Sequence, residues 1–104
     1  MFQKSKRSRG ALLVKLPDGE YIGGENPIDT YKDTILKIGI DELKRRRIEL
    51  GGKPLIASTD VTKAYTEIEP GVWLAIPTTT KEKVKYLKII GSFMRIPLEV
   101  TIID

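Results

Sequence analysis

Residues 17–39 read PDGEYIGGENPIDTYKDTILKIG, and residues 69–91, which begin 52 positions later, read EPGVWLAIPTTTKEKVKYLKIIG. Each stretch opens with a proline–glycine turn, continues through an aromatic residue and a short apolar run, and then takes up the apolar spacing of a helix. Because the same signals recur at one offset, the sequence predicts an internal duplication.

The two stretches match in physical role more than in residue identity. The pairs that correspond at this offset are Gly19 with Gly71, Tyr21 with Trp73, Ile22 with Leu74, Ile35 with Leu87, Ile38 with Ile90, and Gly39 with Gly91. At a shorter offset of 43, Pro54-Leu55 corresponds to Pro97-Leu98, and each pair opens an apolar run. The predicted fold class is α+β, with two pseudo-repeated ββαβ units at about residues 11–58 and 63–103 and helices packed on antiparallel sheets.

Turn and capping signals place the elements of each unit. Asn26 followed by Pro27 predicts the start of the first helix, and Thr79 with Glu82 has capping-box spacing for the second. The predicted strands are 11–16, 20–23, 63–68, 72–76 and 98–103. The predicted buried faces are Ile28, Tyr31, Ile35 and Ile38 in the first helix and Val84, Leu87, Ile90 and Met94 in the second.

The first unit carries nine additional residues within 40–52, between its helix and its closing strand. Asp41 is predicted to cap a short helix there, ended by Gly51-Gly52. That helix bears three consecutive arginines, which lie about 100° apart around the axis and span about 200°, and therefore cannot all face one ligand. We expect two of them to share a surface and the third to pair with a nearby carboxylate; the residues are Arg45, Arg46 and Arg47.

Composition excludes most catalytic chemistry. The chain has 104 residues with no cysteine and no histidine, so it has no disulfide, no thiol nucleophile and no imidazole base or ligand. Its 14 acidic residues show no spacing typical of a metal or acid–base site. We therefore predict one non-enzymatic domain without catalytic residues, cofactor or metal.

The net charge of +4 lies entirely in residues 1–10, which contain Lys4, Lys6, Arg7 and Arg9 and no acid. Residues 11–104 then form a neutral single domain, preceded by a tail that we expect to be disordered. The tail either contacts phosphates or only aids solubility. No apolar segment follows it, so a signal peptide is not expected, and no run is long enough for a membrane span. A cytoplasmic protein is expected.

Three further features are binding candidates, each with a structural alternative. Lys81, Lys85 and Lys88 form a stripe on the second helix, with Lys83 beside it, which either binds phosphates or is a solvated face. Thr79, Thr80 and Lys81 at the start of that helix either hold an anion or only cap it. Tyr21 and Trp73 either stack on bases or anchor the sheets to the core, and the core interpretation is favoured.

The PDG turn, the helix ending in KIG, the PLI strand, the GVW hairpin and the threonine-capped, lysine-rich helix together resemble an uncharacterised small bacterial or phage-borne α+β domain. The resemblance spans most of residues 11–103 and implies no activity.

The charged segments favour a nucleic-acid-binding or nucleic-acid-associated accessory protein that contacts phosphates without strong sequence readout. The alternative is a protein–protein interaction module, such as an adaptor or a small inhibitor of another machine, and the neutral charge of residues 11–104 favours it. Short sheets leave edge strands exposed, so a homodimer formed by edge pairing is a secondary expectation.

Overall fold

The computed structural model describes residues 11–23, 26–59 and 64–103, and it has the predicted α+β class. The strands are β1 (Ala11–Lys15), β2 (Tyr21–Gly23), β3 (Glu49–Leu50), β4 (Lys53–Pro54), β5 (Ile56–Ala57), β6 (Tyr65–Glu69), β7 (Val72–Ala75) and β8 (Glu99–Ile103). The helices are α1 (Pro27–Ile38), α2 (Ile40–Arg46) and α3 (Thr80–Met94). The predicted tail at 1–10 and its four cations lie outside the described residues.

Two three-stranded antiparallel sheets link the halves of the chain. The first has the order β2-β1-β8 and the second the order β5-β7-β6, while β3 and β4 form a small separate hairpin. β8 pairs with β1 from Ala11 opposite Ile103 to Lys15 opposite Glu99. β5 pairs with β7, where Ile56 lies opposite Leu74. The closing strand of each half therefore extends the hairpin of the other half.

The two closing strands do not occupy equivalent places. β8 pairs with β1, which is the first strand of the β1–β2 hairpin. β5 pairs with β7, which is the second strand of the β6–β7 hairpin. The hairpin turns do correspond, since Gly19 and Gly71 both have positive φ, at 92° and 76°. The fold thus contains two hairpin-and-helix segments but does not by itself establish two repeated ββαβ units.

Helix α1 begins and ends where its sequence predicts. The Asn26 side chain accepts a hydrogen bond from the Ile28 amide at 2.9 Å, and Pro27 occupies the first helical position, where its missing N–H costs nothing. At the other end Gly39 has φ 112° and its amide donates to the Ile35 carbonyl at 3.0 Å. Ile28, however, is 42% exposed and does not belong to the buried face.

The segment after α1 corrects two predictions. Asp41 does not cap α2; Gly39 precedes that helix as its N-cap, without a side-chain hydrogen bond, and Asp41 lies in its first turn. Gly51 and Gly52 do not end α2 either, because the helix ends at Arg47, which has left-handed φ and ψ of 51° and 49°. The two glycines instead lie between β3 and β4, with φ of 65° and 81°, in a turn that favours glycine.

A buried hydroxyl connects α1 to the second sheet. Tyr31 is fully buried, and its hydroxyl donates to the carbonyl oxygen of Ala75 on β7 at 3.0 Å. Burial raises the pKa of Tyr31, with a smaller contribution from Tyr86, so the hydroxyl stays protonated and remains a donor. The surrounding core consists mainly of Leu12, Val14, Ile35, Leu43, Ile48, Leu55, Leu74, Leu87 and Ile90.

We expect Tyr31→Phe to lower the free energy of unfolding by about 1 kcal/mol, because the ring stays in place while the hydrogen bond to Ala75 is lost. Urea denaturation measures the change. Tyr21→Phe is the matched control, since Tyr21 is 58% exposed and its hydroxyl has no hydrogen-bond partner among the described residues. Equal stability of Tyr31→Phe and wild type would contradict the role of this bond.

Candidate nucleic-acid interface

The three lysines that the sequence analysis names as binding candidates on the second predicted helix lie on the outer face of α3. The Thr79 hydroxyl oxygen accepts a hydrogen bond from the Glu82 amide at 3.1 Å and fixes the start of the helix, as predicted. Leu87, Ile90 and Met94 are buried against the core, which fixes the rotation of the helix. Lys81, Lys85 and Lys88 lie on the side away from the core and are exposed, and the one acid of the helix, Glu82, is exposed beside them.

These three lysines have no acidic partner among the described residues. The ion pairs found there join Lys37 to Glu20 at 3.1 Å, and join both Arg45 and Arg46 to Glu42, at 2.9 and 3.6 Å. The charges of α1 and α2 are therefore partly neutralised locally. The outer face of α3 keeps its charges available for a ligand.

Lys83 does not lie beside this stripe, contrary to the sequence interpretation. It is only 3% exposed, and its Nζ donates to the Thr78 carbonyl oxygen at 3.2 Å. Position 83 falls on the same side of the helix as Leu87 and Ile90, so its stem packs inward while the amine reaches the preceding loop. Burial lowers the pKa of Lys83, and neighbouring Glu82 offsets part of that effect.

The lowered pKa of Lys83 predicts a pH-dependent stability. Its ammonium is disfavoured in the folded protein, so the unfolded chain holds this proton to higher pH. The free energy of unfolding of the wild type should therefore rise relative to Lys83→Met as the pH increases from neutral toward 10.5, the ordinary lysine value. Urea denaturation across this range measures the difference.

The control for this prediction is Lys85→Met, which removes an exposed lysine two residues away. Its pH profile should run parallel to that of the wild type. If the free energies of unfolding of Lys83→Met and the wild type depend on pH in the same way, the lowered pKa of Lys83 in the folded protein is contradicted.

The sequence reasoning missed Arg95, which extends the same face of α3. Arg95 is the C-cap, is exposed, and lies seven residues after Lys88, which is two helical turns. From Lys81 to Arg95 the helix rises about 21 Å at 1.5 Å per residue. A pattern search that continued the lysine spacing past Gly91 would have found this residue.

Arg95 also borders a surface groove of about 390 Å³ at the end of α3. The groove lies between the last turn of the helix and the segment that leads into β8. Its lining residues are Lys88, Gly91, Ser92, Arg95, Ile96, Pro97 and Leu98. The basic face of α3 thus ends in a concavity with an apolar wall.

The arginines of α2 do not divide as the sequence analysis expects, because two of them, not one, pair with a carboxylate. Arg45 and Arg46 both pair with Glu42, while Arg47 leaves the helix in the left-handed conformation and lines a different groove. That groove also contains Lys44 and Glu49, so an acid lies beside its two cations. The three arginines do not form one cationic surface.

The remaining candidates are placed apart from one another. Tyr21 lies on β2 and is exposed, which corrects the favoured core interpretation, and the Nζ of Lys15 lies 5.8 Å from the centre of its ring. Trp73 lies half-buried on β7, in the other sheet. At the start of α3 the Thr79 hydroxyl serves as the cap, which accounts for that residue without a ligand; Thr80 and Lys81 follow it in the first turn.

The described residues contain neither a metal-binding cluster nor a membrane-spanning helix, and comparisons with known proteins give no match. Within residues 11–23, 26–59 and 64–103 no group of three or more His, Cys, Asp or Glu could hold a metal ion. None of the helices in that part of the chain combines the length and apolar character that crossing a membrane requires. No protein-family model, curated protein or solved structure matches the chain.

Proposed function

We propose that this protein is a non-enzymatic nucleic-acid-binding or nucleic-acid-associated accessory protein, and that the outer face of α3 follows a phosphate backbone. The observation that carries the proposal is that Lys81, Lys85 and Lys88 lie on one face of one helix without an ion pair in the described structure, whereas Lys37, Arg45 and Arg46 are paired with carboxylates. Exposed lysines that form no ion pair bind phosphates by releasing counterions, which gives affinity without sequence readout.

The distribution of charge over the chain supports the proposal. Residues 11–104 are neutral in total, yet on α3 Lys81, Lys85 and Lys88 have a single acid, Glu82, beside them, so positive charge is concentrated on this helix and most acids lie elsewhere. Such a separation orients a polyanion toward one side of the protein. The tail would add Lys4, Lys6, Arg7 and Arg9 as further phosphate contacts.

The internal repeat gives a second line of support, and we propose that it arose by duplication. At the offset of 52, Lys81 and Lys85 of α3 correspond to Asp29 and Asp33 of α1, and Lys88 corresponds to Leu36. Folding accepts either pattern on an outer helix face, because these positions are not buried in either helix. The basic pattern of α3 is thus a property that packing does not require.

A protein–protein interaction module is the second candidate, and two exposed apolar residues favour it. Ile89 and Phe93 are 36% and 54% exposed and lie four residues apart on α3, so they are neighbours on its surface. Among the described strands, β8 also lies at the edge of its sheet. A partner protein or a second copy of this chain would cover this side of the domain in an adaptor or inhibitor.

Replacing Lys81, Lys85 and Lys88 together by Gln tests the leading proposal. Lys and Gln have similar helix propensities and the positions are exposed, so stability should change by less than about 1 kcal/mol. The log–log dependence of affinity on salt should become shallower by about 2.7 for duplex and about 2 for single strands, because three phosphate contacts are lost. Fluorescence anisotropy with labelled oligonucleotides at about 50 to 200 mM salt measures both slopes.

The matched control removes the same charge elsewhere. It replaces Lys32, Arg45 and Lys53, which lie on α1, α2 and β4, by Gln. This control should bind nearly as the wild type does. If both triple variants bind nucleic acid like the wild type, while a protein partner captured by the wild type is lost from the α3 variant, the interaction-module candidate replaces the leading proposal.

A further inference from the structure

We infer that the groove at the end of α3 holds an unpaired nucleotide, so that single-stranded nucleic acid is the preferred ligand of the basic face. This inference rests on the proposed function and adds the ligand class and a residue, Arg95. Three observations carry it: the backbone conformation at Arg95, the chemistry of the groove, and its continuity with the lysines of α3.

The backbone at Arg95 is left-handed, with φ 59° and ψ 36°. This conformation crowds the Cβ of an L-residue, and helices that end in it usually have glycine there, less often asparagine. Within the described residues, Arg47 and Arg95 are the non-glycine residues with positive φ. The conformation marks both arginines as candidates for a role beyond ending a helix, and the grooves separate them, since Glu49 lies beside Arg47 while no acid among the described residues lines the groove at Arg95.

The glycine of this region is Gly91, one helical turn before Arg95, where close packing leaves no room for a side chain. The Ile96 amide donates to the Gly91 carbonyl at 2.8 Å, so the chain folds back over the helix. A Cβ at position 91 would lie 2.8 Å from the Ile96 carbonyl oxygen and 3.2 Å from the Leu98 side chain. The reversal therefore requires Gly91, whereas position 95 carries a cation at the rim of the groove.

The lining of the groove suits a nucleotide. Lys88 and Arg95 supply two cations without carboxylate partners in the described structure, and Ser92 supplies an exposed hydroxyl. The opposite wall is apolar, with an exposed Pro97 and a half-buried Leu98. Cations and a hydroxyl bind phosphate, while an apolar wall, and the flat guanidinium of Arg95, can pack against a base.

A base inside a duplex is stacked and paired and cannot enter such a groove, whereas a base of a single strand can. Lys88 and Ser92 are one helical turn apart, and Lys88 belongs to the stripe that continues to Lys85 and Lys81. A strand whose backbone follows these lysines reaches the groove without a gap in positive charge. The geometry thus favours a single strand over a duplex.

Arg95→Gly is the test, and Arg47→Gly is its matched control. Both substitutions remove one arginine from a left-handed helix cap, and the groove at Arg47 contains the acid Glu49. We expect neither variant to have a lower urea midpoint than the wild type, because glycine relieves the backbone conformation. Affinity for a labelled oligothymidine should fall about tenfold in Arg95→Gly only, while affinity for a duplex of equal length changes by less than about twofold.

Arg95→Asn keeps a residue that tolerates the left-handed conformation and serves as a second uncharged variant. If both Arg95 variants lose as much affinity for the duplex as for the single strand, the inference of a nucleotide in the groove is wrong and Arg95 is one more phosphate contact. Unchanged single-strand binding in both variants would overturn the inference and assign Arg95 to the helix cap alone, while the effect of the Lys81, Lys85 and Lys88 replacement would still stand. A wild type that binds neither probe would overturn the proposed function itself.

Discussion

The antiparallel pairing of β8 with β1 is the constraint on which the rest of the structure depends. It joins the last described strand to the first over five residue pairs, and it makes β1 the central strand of its sheet. To reach that position, the chain must reverse immediately after α3. The reversal places Ile96 over Gly91 and leaves Arg95 in a left-handed cap. The groove at the end of α3 is thus a product of the same pairing that closes the fold.

Side-chain charge is handled differently by the three helices. On α2, Glu42 accepts from Arg45 at 2.9 Å and lies 3.6 Å from Arg46, and near α1 Glu20 pairs with Lys37. Exposed pairs of this kind add little to stability, but they reduce the positive potential that a ligand meets. On α3 the one lysine that serves the fold is Lys83, which is buried and bonded to Thr78. Within the described residues, the outward-facing Lys81, Lys85 and Lys88 form no side-chain hydrogen bond or ion pair.

The sequence predicted what local chemistry determines and missed what depends on distant contacts. Asn26 with Pro27, and Thr79 with Glu82, mark helix starts because the capping bonds span only two or three residues. The sequence analysis assigns Gly51 and Gly52 to a helix end, whereas Arg47 ends α2 in a conformation that glycine usually supplies. No local signal distinguishes that case.

Two further features depend on distant contacts and could not be predicted locally. They are the pairing of each closing strand with the hairpin of the other half and the inward orientation of Lys83. Which strand accepts β8 is decided by packing across the whole domain, and alternating composition in β8 suits either sheet. Lys83 carries the same charge as its neighbours, so only the rotation of α3, set by Leu87 and Ile90, shows that it points inward. Tyr21 was assigned to the core by analogy with other hairpin aromatics, yet β2 is an edge strand and leaves it exposed.

The most direct measurement is a two-dimensional ¹⁵N–¹H NMR titration of the full chain with a short single-stranded oligonucleotide at low salt. If the outer face of α3 and its terminal groove form the binding surface, the largest shift changes occur between Lys81 and Leu98, while α1 and the Arg45–Glu42 pair on α2 change little. Shift changes concentrated on α2 or in the second sheet, or none at saturating oligonucleotide, would contradict the account.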